Sequence, residues 1–275
     1  MTTGFVAVDG GQLYYEVAGN GPALVLIHAG IADSRMWDPQ WAEFAQHCTV
    51  VRYDVRGYGK SPTEPIAFSN RADVAALLDH LAIERATLLG VSRGGQIAGD
   101  FALEFPHRVS GLILECAGLS GFTYEPTEAD AAMMQLEEQL EPLWKAKEWA
   151  QLADLEVHLW VDGPGQAVGR APAALREQVR EMIYANYTNH HGDEKPQPLV
   201  PPAAERLHEI QVPTLVIIGD LDTGDSLATA EALAQGIAGA QKVVFAQTAH
   251  LPNMEQPARF NQTVLDFLHV NQLAQ

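Results

Sequence analysis

The sequence contains little positive charge. Its 17 lysines and arginines stand against 35 aspartates and glutamates, which gives a formal net charge of −18. A surface with this excess of negative charge repels phosphate backbones and anionic membrane surfaces. We therefore expect a small-molecule substrate, and neither a nucleic acid nor a membrane, as the partner of this protein. Nothing in the sequence indicates an oligomeric state.

Cysteine is also scarce. The two cysteines, Cys48 and Cys116, are far apart and lie within or beside predicted strands. Isolated cysteines in such positions are usually buried free thiols, so we expect neither a disulfide nor a metal pair. No spacing of histidines, cysteines and acids is typical of a metal site, and no motif indicates a cofactor.

Long apolar segments are missing as well. No apolar segment approaches the length that spans a bilayer, and the first residues lack the charged and apolar pattern of a signal peptide. We expect a soluble, cytoplasmic protein.

Short, uninterrupted apolar segments alternate with segments of helical periodicity. A hairpin is predicted first, and the later apolar segments are residues 24–27, 50–53, 88–91, 112–114, 215–218 and 243–246. Helical spacing of apolar residues is present in segments 74–81, 97–105, 227–237 and 260–268. Strands that are apolar on both faces are typical of a parallel sheet covered by helices on both sides. The predicted fold class is α/β, with a mostly parallel central sheet.

One long interval breaks this alternation. Between residues 114 and 215 no convincing strand is present, whereas segments 136–144 and 175–183 have amphipathic helical patterns. The interval is much longer than most connections between strands. We interpret residues 121–205 as a helical cap inserted into a core domain formed by residues 1–120 and 206–275.

A G-x-S-x-G pattern lies where a predicted strand runs directly into a predicted helix. It consists of Gly90, Ser92 and Gly94. In this pattern a serine is carried on a sharp turn with its hydroxyl exposed, and the glycines allow the strand and helix to approach closely. Ser92 is therefore the candidate nucleophile.

A serine nucleophile needs a base and a third group that orients the base. His250 follows the last predicted strand, and Asp222 follows the strand before it in the chain. The carboxyl ends of parallel strands meet at one edge of the sheet, which is also where Ser92 lies. We therefore predict a catalytic triad of Ser92, His250 and Asp222. Three other acids compete for the role of Asp222, namely Asp220, Asp225 and Glu115.

Together these features resemble the cap-bearing α/β-hydrolases. The resemblance covers nearly the whole chain and includes the order Ser, Asp, His, which is that of this family. The segments that carry it are LVLIHAG (24–30), YDVRGYGKS (53–61), GVSRGG (90–95) and AHLPNMEQP (249–257). Ala29 stands where the family usually has a glycine.

The resemblance implies a reaction and an oxyanion hole. It implies hydrolysis of small carboxylic esters, lactones or thioesters through an acyl-enzyme, with the backbone N–H groups of Gly30 and Arg93 binding the oxyanion. The same family includes carbon–carbon bond hydrolases, cofactor-free perhydrolases, hydroxynitrile lyases and small-molecule receptors, so these activities remain alternatives.

Several neighbouring residues are assigned structural roles. We expect His28 to be a buried histidine bonded to the backbone, and Asp54 and Arg56 to brace a loop beneath the site. The Arg93 side chain either pairs with an acid of the sheet or cap, which we favour, or faces a substrate carboxylate. Most of the large side chains of the cap are expected in its core, namely Trp144, Trp149, Trp160, Met133, Met134 and Tyr184.

Overall fold

The structure is a computed structural model that describes residues 1–189 and 195–275. Residues 190–194, which belong to the predicted cap, lie outside the described residues. Eight strands form the central sheet, and two short strands form a separate pair. The strands are β1 (Thr2–Val8), β2 (Gly11–Ala18), β3 (Ala23–Ile27), β4 (Thr49–Tyr53), β5 (Ala67–Phe68), β6 (Ala86–Val91), β7 (Val109–Glu115), β8 (Lys195–Pro196), β9 (Thr214–Gly219) and β10 (Gln241–Phe245).

The order of strands in the central sheet is β1-β2-β4-β3-β6-β7-β9-β10. β1 and β2 form an antiparallel hairpin, and β2 also pairs antiparallel with β4. All other neighbours in this sheet are parallel. The carboxyl ends of β3, β6, β7, β9 and β10 therefore meet at one edge, where the loops that follow them can form a site.

Nine α-helices lie in the described part of the chain. They are α1 (Asp38–Phe44), α2 (Asn70–His80), α3 (Arg93–Glu104), α4 (Ala131–Ala146), α5 (Trp149–Val157), α6 (Ala173–Asn189), α7 (Gly224–Gly236), α8 (Pro252–Glu255) and α9 (Pro257–Val270). A π-helical turn, His158–Asp162, directly follows α5.

The core consists of two hydrophobic clusters, one on each face of the sheet. Alternate residues of β3 point to opposite faces, so that Val25 lies in one cluster and Leu26 in the other. Helices α2, α3 and α7 cover the first face, whereas α1 and α9 cover the second. This burial on both sides explains why the parallel strands have uninterrupted apolar sequences.

The helical segment, by which we mean residues 121–205, separates β7 from β9 in the chain. It contains α4, α5, the π turn and α6, and its strand β8 pairs with β5 of the preceding part of the chain. Its apolar residues Val157, Val179 and Met182 join the cluster on the second face of the sheet. The helical segment is thus packed against the sheet through an apolar contact.

The predicted fold class is confirmed, and so is the position of each predicted strand. The three short helices α1, α5 and α8 were not predicted. Both cysteines are buried free thiols, as expected. Among the described residues, no helix is long and apolar enough to cross a membrane.

Candidate active site

Ser92 lies on a strained turn between β6 and α3. Its backbone angles are φ 54° and ψ −116°, a conformation that non-glycine residues rarely adopt. The flanking glycines are required by close contacts: a Cβ atom on Gly90 would lie 2.2 Å from the carbonyl oxygen of Gly94, and one on Gly94 would lie 2.2 Å from that of Ile27. The G-x-S-x-G spacing therefore follows from the packing of α3 against β6 and β3.

His250 and Asp222 are bonded to each other in the loops that follow β10 and β9. Nδ1 of His250 lies 2.9 Å and 2.8 Å from the two carboxylate oxygens of Asp222. Both residues are buried, with 4% and 6% of their surfaces exposed. Because a carboxylate is an acceptor, this bond places the imidazole proton on Nδ1 and leaves Nε2 as a proton acceptor. The backbone N–H of Thr223 also donates to Asp222, which holds the carboxylate in this orientation.

A cavity of about 760 Å³ lies at the carboxyl edge of the sheet and is lined by both Ser92 and His250. Gly30 and Arg93 line the same cavity. The helical segment contributes the opposite wall, which includes Trp144, Trp160, Ile183 and Tyr187. A hydroxyl, an imidazole bonded to a carboxylate, and a wall that includes three aromatic side chains therefore surround a space of the size of a small-molecule site.

In the described part of the structure, none of the three competing acids forms a hydrogen bond with His250. Asp220 accepts a hydrogen bond from the backbone N–H of Gln247 at 2.6 Å, and Asp225 is exposed in the first turn of α7. Glu115 is fully buried and accepts from the backbone N–H of Asn253 at 2.8 Å. Burial raises the pKa of Glu115 well above its usual range, which favours its neutral form.

A model of the alpha/beta hydrolase fold family matches residues 22–257. The chain belongs to this family. It is 28% identical over 257 residues to 3-oxoadipate enol-lactonase 2 of Acinetobacter baylyi, covering 88% of this chain and 87% of that protein. It is 31% identical over 276 residues to the 2-hydroxy-6-oxononadienedioate/2-hydroxy-6-oxononatrienedioate hydrolase of Paraburkholderia phymatum, covering 94% and 91% of the two proteins. The crystal structure of the enol-lactonase from Burkholderia xenovorans LB400 matches with a TM-score of 0.75 at 28% identity, covering 97% of this chain and 100% of that one.

Gly30 and Arg93, the residues assigned to the oxyanion hole of this hydrolase, are neighbours. A Cβ atom on Gly30 would lie 3.1 Å from Nε of Arg93. Arg93 is the first residue of α3, so its backbone N–H has no acceptor within the helix and is available to a ligand. Ala29, which replaces the usual glycine, is fully buried, and its N–H donates to Sδ of Met36 at 3.3 Å.

No acid among the described residues forms the ion pair expected for the Arg93 side chain, and the acids at positions 193 and 194 of the predicted cap lie outside the described residues. Within residues 1–189 and 195–275, the Arg93 guanidinium contacts the Tyr58 ring at 5.1 Å from the centroid, and no acid bonds to it. The side chain is exposed and lines the cavity. A guanidinium in this position can interact with a ligand that enters the cavity.

His28 has the structural role expected of it. Its Nε2 accepts from the backbone N–H of Val55 at 2.8 Å, and its Nδ1 lies 2.8 Å from the carbonyl oxygen of Ala29. Burial lowers the pKa of His28, so that the ring stays neutral and can both donate and accept. The ring is therefore a link between the loops that follow β3 and β4.

Asp54 and Arg56 brace the loop after β4, as expected. The Asp54 carboxylate accepts from the backbone N–H groups of Ser34 and Lys60, at 2.8 Å each. Arg56 donates to both carboxylate oxygens of Asp73. Neither side chain lines the cavity, so both act by holding the loops beneath the site.

The large side chains of the helical segment are less buried than predicted. Met133 is buried, whereas Met134 and Tyr184 are 43% exposed, so the prediction of a core position is wrong for these two. Trp144 and Trp160 line the cavity, and Trp149 packs on Trp144 with ring centroids 5.2 Å apart. The amphipathic pattern identified the helices, but it could not show which apolar residues would face the cavity.

Several cavity residues were not identified from the sequence, among them Glu156, Asn186 and Tyr187. Glu156 could have been recognised from its spacing in the sequence. It lies four residues after Leu152 and three after Ala153, which places it on the buried stripe of α5. A lone acid on the apolar face of a helix indicates a special environment.

Cys116, Asp222 and His250 place three potential metal-ligand atoms within 4.8 Å of one another. Burial raises the pKa of the Cys116 thiol well above its usual range, so the thiol stays protonated. The thiolate is the form that binds metals, so this group does not suit a metal. Asp222 and His250 are instead engaged with each other.

Proposed function

We propose that this protein is a serine hydrolase that cleaves small carboxylic esters or lactones, with thioesters as close variants. In this proposal Ser92 is the nucleophile, His250 the general base and Asp222 the acid that orients it. The observation that carries the proposal is a single cavity that contains a serine on a strained turn and a histidine bonded to a buried aspartate. This combination activates a hydroxyl that is otherwise a poor nucleophile.

The reaction follows from the positions of these groups. Nε2 of His250 takes the proton from the Ser92 hydroxyl as the oxygen attacks the substrate carbonyl carbon. The backbone N–H groups of Arg93 and Gly30 bind the oxyanion of the tetrahedral intermediate, and one such donor contributes about 2.7–4 kcal/mol to the transition state. His250 then protonates the leaving alcohol. Water attacks the acyl-enzyme by the same route and releases the acid, with Ser92 recovering its proton.

We propose that the helical segment acts as a cap. Its residues Trp144, Trp160 and Ile183 form an apolar wall across the cavity from Ser92. Such a wall binds the hydrocarbon part of a substrate and excludes water from the reacting carbonyl. A cytoplasmic location and a small-molecule partner belong to the same proposal.

Lactones are supported by the relatives. One relative and one structural neighbour have names that describe enol-lactonases, which cleave a cyclic ester. The same chemistry applies to a lactone, except that the leaving alcohol remains part of the acyl group. A ring of five or six atoms fits easily in a cavity of about 760 Å³.

Carbon–carbon bond hydrolysis is the second candidate function. It is supported by the relative whose name describes a hydrolase of 2-hydroxy-6-oxo dienedioates. A ketone carbonyl attacked by Ser92 would break a carbon–carbon bond if the leaving carbon could accept a proton. Activity on such a dienoate with none on esters or lactones would favour this second function.

Active-site labelling tests the proposal. We expect a fluorophosphonate to add one adduct to the wild-type protein, on the peptide that contains Ser92, and Ser92→Ala to abolish both the adduct and turnover. Ser110→Ala is the matched control, because Ser110 lies at the amino end of β7, away from the cavity. Ser92→Ala with wild-type turnover of esters and lactones, or an adduct on another residue, would contradict the proposal.

A further inference from the structure

Glu156 has a buried carboxylate oxygen at the wall of the cavity that no described residue bonds. It lies near the end of α5, is 9% exposed, and lines the same cavity as Ser92 and His250. Its Oε1 accepts a hydrogen bond from the Tyr187 hydroxyl at 2.6 Å. No atom of the described residues bonds to its buried Oε2. A buried polar atom with no partner is costly, so this atom is expected to have a role.

Below about pH 7 the carboxyl group of Glu156 is mostly neutral and can donate a hydrogen bond. Burial raises the pKa of Glu156 to about 7, although the bond from Tyr187 acts in the opposite direction. No cation in the described part of the chain forms an ion pair with it. Because Oε1 already accepts from Tyr187, the proton of the neutral carboxyl resides on Oε2, which then becomes a hydrogen-bond donor.

Among the described residues that line the cavity, the titratable group bonded to Glu156 is Tyr187. α4 contributes Trp144 and the π turn contributes Trp160 to this cavity, and neither titrates. From α6, Tyr187 faces Glu156, and burial raises the pKa of that hydroxyl so that it stays a donor. The other titratable or charged groups that line the cavity are Tyr58, Arg71, Arg93, Asp100 and His250. Arg71 and Asp100 are already engaged, with Glu104 and with Ser120.

We infer that Glu156 is a specificity-determining residue whose neutral carboxyl donates a hydrogen bond to an acceptor oxygen at the distal end of the substrate acyl group. The inference rests on the proposed hydrolase function. The distal oxygen belongs to a ketone or to a carboxylate. Arg93, exposed in the same cavity and without an acid partner among the described residues, adds a second donor that suits such an oxygen. A hydrocarbon chain of the same length would leave Oε2 without a partner.

Three matched esters of one alcohol test this inference. They are the hexanoate ester, which ends in a methyl group, the 5-oxohexanoate ester, which adds a ketone, and the adipate monoester, which ends in a carboxylate. The quantity measured is the ratio of kcat/KM for each oxygen-bearing ester to kcat/KM for the hexanoate ester. Effects of pH on His250 are common to all three esters and cancel in this ratio.

In the wild-type protein we expect at least one ratio well above one at about pH 6. It should fall by roughly tenfold at about pH 8, because a carboxyl with a pKa of about 7 is mostly neutral at the first pH and mostly ionised at the second. Glu156→Gln keeps a donor in place of Oε2 and cannot ionise, so its ratio should stay high at both pH values. Glu156→Ala should bring the ratio close to one.

A raised ratio for the ketone shows recognition of a neutral oxygen, whereas a raised ratio for adipate alone shows recognition of a carboxylate.

Two controls separate this inference from the proposed function. Glu177→Gln changes an exposed glutamate on α6 and should leave the ratio and its pH dependence unchanged. Calorimetry also measures the dissociation constants of the three methyl esters on Ser92→Ala. The same ratios are formed from these constants, so the inference is tested even without turnover. Turnover of all three esters with ratios near one at both pH values overturns the inference but leaves the proposed function intact. A high ratio in wild type that Glu156→Gln abolishes also overturns it, because the ionised carboxylate would then be the form that binds.

Discussion

The backbone N–H of His250 donates to the carbonyl oxygen of Trp160 at 3.1 Å. The rings of the same two residues are in contact, with centroids 4.6 Å apart and planes inclined by 45°. Trp160 belongs to the π turn that follows α5, so the helical segment is bonded directly to the loop that carries the candidate base. π turns inside helices are frequent at functional sites, and this one positions an indole against an imidazole.

Trp160→Ala should therefore weaken catalysis without removing the backbone bond. An aromatic pair is worth about 0.5–1.5 kcal/mol, which corresponds to a loss of roughly two- to tenfold in kcat/KM if the contact holds His250 in place. Trp160→Phe should recover most of this loss. Trp41→Ala is the control, since Trp41 packs against Arg52 away from the cavity. Wild-type kcat/KM in Trp160→Ala would show that the ring contact does not position the histidine.

The strands that are covered by helices on both faces could be predicted from the sequence. The parallel strands were recognised because both of their faces are covered, as for Val25 and Leu26 of β3. The short strands β5 and β8 have two residues each, too few for any periodicity to be detected. Helix α5 has only nine residues, and its buried stripe of Leu152, Ala153 and Val157 is interrupted by an acid, Glu156, so its apolar periodicity is weak.

The candidate site was predictable where a local motif exists. Ser92 lies in a pattern that the packing of Gly90 and Gly94 demands, and the order of Ser92, Asp222 and His250 restricted the choice of partners. The wall of the cavity was not predictable. It depends on how the helical segment is placed over the sheet, which no periodicity in the sequence describes.

Substitutions of two glycines in α3 test whether close packing is required at the turn that carries Ser92. Gly94→Ala would place a Cβ atom 2.2 Å from the carbonyl oxygen of Ile27, which is backbone and cannot move freely. We expect it to lower the free energy of unfolding by about 1–3 kcal/mol and to abolish most activity. Gly99→Ala, in the same helix, would meet nothing within 4 Å and should raise stability by about 0.5–1 kcal/mol. Denaturant unfolding measures both, and a neutral Gly94→Ala would contradict the packing argument.

The acid of the proposed triad can be identified with four amide variants. Asp222→Asn removes the acceptor for Nδ1 of His250 and favours the wrong tautomer, so kcat should fall by about three to four orders of magnitude. Asp220→Asn, Asp225→Asn and Glu115→Gln should each retain kcat within about tenfold, because none of these side chains bonds to His250. The kcat values of the four variants on one ester are compared. A larger loss in Glu115→Gln than in Asp222→Asn would reverse the assignment.

Glu156 should also make stability depend on pH. Its pKa is raised from the usual 4.5 to about 7 in the folded protein, so between these values the folded state binds more protons than the unfolded state. The contribution of Glu156 to the free energy of unfolding is therefore full at low pH and falls as pH rises towards about 7, by about 3 kcal/mol in total. Glu156→Gln cannot ionise, so its stability relative to wild type should increase between about pH 5 and about pH 8. Glu177→Gln should show no such change, and parallel stability curves for wild type and Glu156→Gln would show that the carboxyl keeps its ordinary pKa.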